Sequence, residues 1–306
     1  MGIIYGLGAA LCWGLGDFAI TTLARYVGSA KSLLYIQAFS LLSWFLLIPL
    51  FPHRLAGDTN VWMVAALAGA FHVVGLATTY RAFEIGTLSF VSPIASSFAI
   101  VTALMFVVTN NSPEALALVG ILLLVCGIIV VTRSTGGEEK TTIRGVPEAI
   151  ASAVSFGVMF WIMDVYVSGP LGNVAPLILL KVMASMFAAA YVARSKFESQ
   201  ANRPGTSTLV GIAVVAALLD TMAWVSYLLG FQHNHGAVVT ALASLFSVVT
   251  IVLAGIFLKE RLNRFQWVGV GIVLTGILLV SLPKNGQEKQ TLNTSQSAYL
   301  PSVEIS

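Results

Sequence analysis

The chain has 306 residues, 57% of them hydrophobic and only 9% charged, with a formal net charge of +3. A soluble domain carries about 25% charged residues, so a chain this apolar cannot hide its surface from water and is expected in a lipid bilayer. Its basic residues are scattered over short loops, with no basic block and no aromatic-basic platform, which excludes nucleic acid as a partner.

Apolar runs of the roughly 20 residues needed to cross a bilayer fall at residues 2–24, 31–51, 61–80, 87–109, 114–132, 146–167, 171–193, 208–230, 236–258 and 265–282. Each is too long and too continuous for a barrel strand, which is about half that length and alternates in character. The expected fold is an all-α polytopic membrane protein with ten transmembrane helices. Only Met1 precedes the first run, without the basic region of a secretory leader, so that run is expected to remain as an anchor. Cys12 and Cys126 fall inside runs and read as small apolar packing residues.

The first run contains Gly14-Leu15-Gly16-Asp17, which matches the Gly-x-Gly-Asp motif of presenilin-type intramembrane aspartyl proteases. Such chemistry needs two aspartates sharing one proton. In those proteases the partner aspartate sits on the preceding helix and a Pro-Ala-Leu motif lies downstream. No helix is expected before this one and no Pro-Ala-Leu occurs, so an enzyme is not expected.

An ionisable group at the bilayer centre costs about 3 kcal/mol or more on insertion scales and normally faces a cavity or a partner. Asp17, His72, Asp164, Lys181 and Asp220 all lie within runs. Trp13, Asp17 and Thr21 share one helix face, as do Asp220, Trp224 and Tyr227. A carboxylate flanked by aromatic faces suits a cationic or amphipathic ligand, and the same aromatics also suit plain packing. Lys181 and Asp220 read either as a mutual ion pair or as ligand-binding charges, and His72 as a proton relay or a hydrogen-bonded structural imidazole. Pro93 is expected to kink the fourth run. Arg81 and Glu84 are expected to form an exposed local pair. The histidines at 233 and 235 lack an acidic or Cys partner, so no metal and no cofactor are expected.

The second half repeats the first. "ASSFAIVT" at 95–102 matches "ASLFSVVT" at 243–250 with five of eight identities, and "VGILLLVCGIIVV" from Val119 matches "VGVGIVLTGILLV" from Val268. The repeat also pairs His72 with Asp220 at an offset of 148 and Gln37 with Lys181 at an offset of 144, while the equivalent of Asp17 falls at Phe160 and Trp161. Five spans per unit turn the second copy over, giving two inverted five-helix repeats at 1–135 and 145–282. A linker at 136–144 joins them, and a disordered polar tail is expected at 283–306. Gly120 and Gly127, matched by Gly269 and Gly276, mark the fifth helix of each unit as a support. Twelve Lys and Arg residues follow odd-numbered spans and three lie on the opposite side, which places both termini outside the cytoplasm.

The opening "GLGAALCWGLGDF", the paired ends of the two units, and "LKERLNRFQWVGVGIVLTGILLV" at 258–280 resemble the drug/metabolite transporter superfamily, in particular its ten-helix EamA-type members. The resemblance covers about residues 2–282. It implies a basket of two inverted repeats whose first four helices line a central cavity, with each fifth helix on the periphery. Members carry amino acids, related metabolites, purines or amphipathic cations, often coupled to protons or by exchange. Ten-helix relatives commonly keep both termini in the cytoplasm, the reverse of what the charge distribution here indicates. The expected protein is thus a secondary transporter in the cell membrane for a small polar or amphipathic molecule, with a passive channel or flippase on the same scaffold as the alternative. Asp17 and Asp220 would couple protons or bind a cation. Gln37, His72 and Lys181 would contact the substrate, and Trp13, Trp161, Trp224 and Tyr227 would wall the site.

Overall fold

The computed structural model describes residues 2–51, 57–110, 144–195, 203–232, 239, 242–260 and 262–281, together with helical residues 119, 120, 122, 123, 126, 127, 129 and 130. Among these residues there are helices and no strands. The helices are α1 Gly2–Val27, α2 Ser29–Leu47, α3 Thr59–Ile85, α4 Leu88–Ala95, α5 Phe98–Asn110, α6 Val146–Ile162, α7 Ser168–Leu171, α8 Val174–Arg194, α9 Thr206–Gln232, α10 Phe246–Phe257 and α11 Arg264–Ser281. A π-helical turn, Met163–Val167, joins α6 to α7.

Among the described residues, six helical segments are long and apolar enough to cross a membrane: Gly2–Val27, Ser29–Leu50, Thr59–Ile85, Val146–Leu171, Val174–Arg194 and Thr206–Gly230. Their large apolar side chains point outward as well as inward. Ile4, Leu46, Leu50 and Phe265 are each more than two-thirds exposed, an arrangement that only a hydrocarbon surround makes favourable. The protein is therefore a multi-pass membrane protein.

Local sequence sets the breaks. Gly28, with φ of 84°, turns the chain sharply from α1 into α2, a backbone conformation that costs a glycine little. Asp58 caps α3 by accepting from the Asn60 amide at 3.2 Å. The fourth apolar run is two helices rather than one. Pro93 lies inside α4, and just beyond it the Ser96 and Ser97 hydroxyls donate back to the carbonyls of Pro93 and Ile94. With the proline unable to donate to the ladder and two hydroxyls occupying its carbonyls, the helix stops and restarts at Phe98. A similar break at Ser244 and Leu245 precedes α10.

One interhelical contact occurs twice. A Cβ on Gly14 of α1 would lie 2.5 Å from Val249 Cβ and 2.7 Å from the Phe246 carbonyl of α10, and one on Gly157 of α6 would lie 2.4 Å from Val101 Cβ and 2.9 Å from the Phe98 carbonyl of α5. Glycine lets both helix pairs approach to backbone contact. The supporting helices also meet: a Cβ on Gly127 would lie 2.9 Å from the Gly269 carbonyl, and one on Gly276 would lie 3.1 Å from the Gly120 carbonyl. The histidines at 233 and 235, the linker core at 136–143 and the tail from 283 lie outside the described residues.

Candidate functional site

A cavity of about 120 Å³ lies among α1, α2, α3, α4, α5, α6, α9 and α10. At about 10–15 Å³ for each water-sized occupant, it has room for on the order of ten waters, or a solute of about ten heavy atoms. Of the residues singled out from sequence, Trp13, Asp17, Gln37, His72, Asp220 and Trp224 all line it.

Asp17 projects from α1 toward two hydroxyls on different helices. Ser92 Oγ of α4 donates to its Oδ2 at 3.1 Å, and Thr250 Oγ1 of α10 lies 3.3 Å from the same oxygen. Among the described residues no cation pairs with it. Asp220 is held differently. Its Oδ2 accepts from Lys181 Nζ of α8 at 2.5 Å and from Ser40 Oγ of α2 at 2.7 Å. Lys181 is fully buried, and burial of an ammonium group is tolerable only because the carboxylate is in contact. The lysine does not itself line the cavity but anchors Asp220 from behind.

Gln37 Oε1 is buried without a partner among the described residues. Both ring nitrogens of His72 are in the same condition, and its ring meets the edge of Phe156 at 5.7 Å. Buried polar atoms are nearly always bonded, so these two side chains have capacity to spare beside a cavity.

An aromatic layer covers one side of the cavity. Phe98 stacks on Phe160 at 5.0 Å, Phe160 on Trp224 at 6.1 Å, Trp224 meets Trp13 edge-on at 5.6 Å, Trp13 meets Phe246 at 6.1 Å, and Phe246 returns to Phe98 at 6.5 Å. These separations are those of favourable ring pairs. The circuit joins α5, α6, α9, α1 and α10. Tyr227 sits behind it, 5.6 Å from Trp13 and 6.0 Å from Trp224. Trp161 does not line the cavity and packs against Tyr166 at 5.5 Å. Asp164 lies exposed on the π turn, apart from the other ionisable residues.

Two turns beyond Asp17 on α1, Arg25 donates to Glu260 Oε1 and to the Gly86 carbonyl, each at 2.9 Å. Glu260 also accepts from the Leu88 amide at 3.1 Å, and from the Ser89 amide and hydroxyl at 2.8 Å. The carboxylate thereby caps α4 and ties its start to α1. Lys259, at φ 54°, turns Glu260 toward that cap. Arg81 and Glu84 form their local pair at 2.8 Å.

Sequence reasoning missed Ser40, Ser92, Thr250 and Glu260. The hydroxyls carried no signal, because most membrane-helix Ser and Thr residues bond their own carbonyls. Glu260 caps the start of α4 from a distant part of the chain, a pairing that local spacing does not show.

The chain is 21% identical over 284 residues to the uncharacterized transporter YetK of Bacillus subtilis, covering 88% of this chain and 82% of that protein. It is 27% identical over 108 residues to an uncharacterized transporter in the cobO 3' region of a Sinorhizobium species, covering 35% of this chain and 75% of that one. A crystal structure of a protein 12% identical to this one shares its fold with a TM-score of 0.56, over 95% of this chain and 98% of the other. A model of the EamA-like transporter family matches residues 1–133 and 143–282, and the chain belongs to that family.

Proposed function

We propose that the protein is a secondary transporter of the cell membrane that moves a small polar or amphipathic metabolite, with an amino acid or a related compound favoured. Two five-helix repeats, inverted with respect to each other, would work by alternating access around the cavity. The carrying observation is the cavity itself, where Asp17 and Asp220 stand on different helices beneath an aromatic layer, with polar capacity left on Gln37 and His72. The matched Gly14 and Gly157 contacts support the repeat reading.

Transport would be coupled to protons or run by exchange, with Asp17 and Asp220 as the proton-coupling or cation-binding carboxylates. Lys181 would hold Asp220 until a substrate carboxylate arrives. His72 would relay a proton or donate a hydrogen bond, and Trp13 and Trp224 would form the wall, with Tyr227 behind them. The role of Trp161 would be to support that wall from outside the lining.

A thermal-shift screen of purified protein against amino acids, nucleobases and quaternary amines should give one class that raises the melting temperature. That class is then tested in proteoliposomes. Accumulation above the outside concentration supports a coupled transporter, whereas equilibration without accumulation would identify a passive channel.

A further inference from the structure

One end of the bundle carries an ion pair that the repeat does not copy. α1 and α10 run side by side in one direction, with Gly14 against Val249, Asp17 against Thr250 and Arg25 against Glu260. Arg25 and Glu260 therefore lie at the end where α3 stops and α4 begins. There four donors converge on the Glu260 carboxylate: Arg25 Nη2, the Leu88 amide, and the amide and hydroxyl of Ser89. Glu260 is itself set by the backbone. Lys259 holds a φ of 54°, the left-handed state that closes many helices, and the Glu260 amide returns to the Ala254 carbonyl at 3.3 Å. The register that sets Gly14 against Gly157 puts Ser168 opposite Arg25, and the one that sets Thr102 against Thr250 puts Ser112 opposite Glu260. Neither serine is charged, so the pair has no counterpart in register at the other end.

An apolar plug lies between this pair and the cavity. Leu88, Val91 and Ile94 of α4 pack with Val146 of α6 and Ile251 of α10, all of them buried. Phe83 and Ala95 belong to the same cluster and line the cavity, so the plug closes the cavity toward the Arg25 end. A polar solute cannot cross such a layer without losing its hydrogen bonds. Much of the plug rides on α4, and α4 is a short separate piece. Pro93 and the inward-turned Ser96 and Ser97 hydroxyls break the helix before Phe98, so α4 can move without carrying α5 with it. Its first amides, at Leu88 and Ser89, have no partner within the helix, and Glu260 is what satisfies them.

We propose that Arg25 and Glu260 latch α4 over one mouth of the cavity, and that release of this latch swings α4 and its plug aside to open that mouth. The latch rests on the transporter reading above and assigns one of its two gates to named residues. The Arg25 side chain is 32% exposed, so water is at hand to replace the latch bonds when they part, and the opening is reversible. Arg25 also donates to the Gly86 carbonyl at 2.9 Å, which draws the end of α3 into the same fastening. Ser92, one turn along α4 from the latch, donates to Asp17 at 3.1 Å, so movement of α4 reaches the cavity carboxylate as well.

The test is thiol labelling of the purified full-length protein with Cys12 and Cys126 replaced by serine. Val91→Cys places a thiol in the plug, where the side chain is fully buried, and its reaction with a polar maleimide is timed by mass spectrometry. Labelling should be slow in that background and faster by about ten- to a hundredfold once Glu260→Ala or Arg25→Gln is added, the range that loss of a hydrogen bond to a charged group converts to. Arg81→Ala breaks only the local pair with Glu84 and should leave it slow. Ala65→Cys, fully buried near the start of α3 at the opposite end, should stay slow in every variant. Unchanged labelling of Val91→Cys in the latch variants overturns the proposal. So does an equal rise at Ala65→Cys, which marks loosening of the whole bundle. Arg25→Gln decides alone if Glu260→Ala does not fold. None of these rates depends on transport: equilibration without accumulation in proteoliposomes would strike the coupled-transporter reading and leave the labelling result standing.

Discussion

Two carboxylates face the same cavity, and among the described residues only one of them has a positive partner. Asp220 is locked by Lys181 at 2.5 Å and Ser40 at 2.7 Å, whereas Asp17 has hydroxyl neighbours at 3.1 and 3.3 Å. The short, charged contacts belong to a unit whose members depend on one another. The longer, uncharged contacts around Asp17 leave its charge to be answered by something that enters the cavity. Asp220 thus reads as the fixed half of the site and Asp17 as the responsive half.

The largest expected effect follows from breaking the fixed half. Lys181→Met leaves a partly buried carboxylate without its cation and should cost about 3 kcal/mol of stability, measured as a lowered melting temperature in detergent. Adding Asp220→Asn should recover most of that loss, since it removes the orphaned charge. If the single variant is as stable as the parent, the pair is not the structural unit described here.

A smaller effect compares the two serines. Ser40→Ala removes a donor to a charged carboxylate and should cost about 1.5–3 kcal/mol. Ser92→Ala removes the longer contact and should cost less. The reverse order would place the locked carboxylate at Asp17. Gly14→Ala sharpens the comparison from the backbone side: its Cβ would fall 2.5 Å from Val249 Cβ, and overpacking of this kind costs about 1–3 kcal/mol. Gly157→Ala should cost a similar amount, but only the Gly14 variant should also disturb transport, because only that crossing carries Asp17. The smallest change in stability is expected for Asp17→Asn, which keeps the shape and removes a partly buried carboxylate that has no cation beside it among the described residues.

Much of this was legible before any coordinates. Six of the apolar runs became helices long enough to span a bilayer, because lipid forces each crossing segment to satisfy its own backbone. The demand that a buried charge find a partner pointed to Lys181 and Asp220. The break between α4 and α5 was half visible: Pro93 signalled a kink, but hydropathy does not register two serines turning back on their own carbonyls. The break before α10 has no proline and gave no warning. Around Asp17 the limit was of another kind. Helical spacing orders residues within one helix, whereas Ser92 and Thr250 reach Asp17 from two others, and only packing decides which hydroxyl turns outward. Trp161 illustrates the same limit, since its neighbour Phe160 is the one on the cavity side.

The most direct test of the account is concentrative uptake by reconstituted protein, using the solute class that the thermal-shift screen selects, with Asp17→Asn compared against wild type at matched folded amounts. The account predicts that Asp17→Asn retains its melting temperature and loses accumulation. Accumulation at the wild-type rate in Asp17→Asn would contradict it.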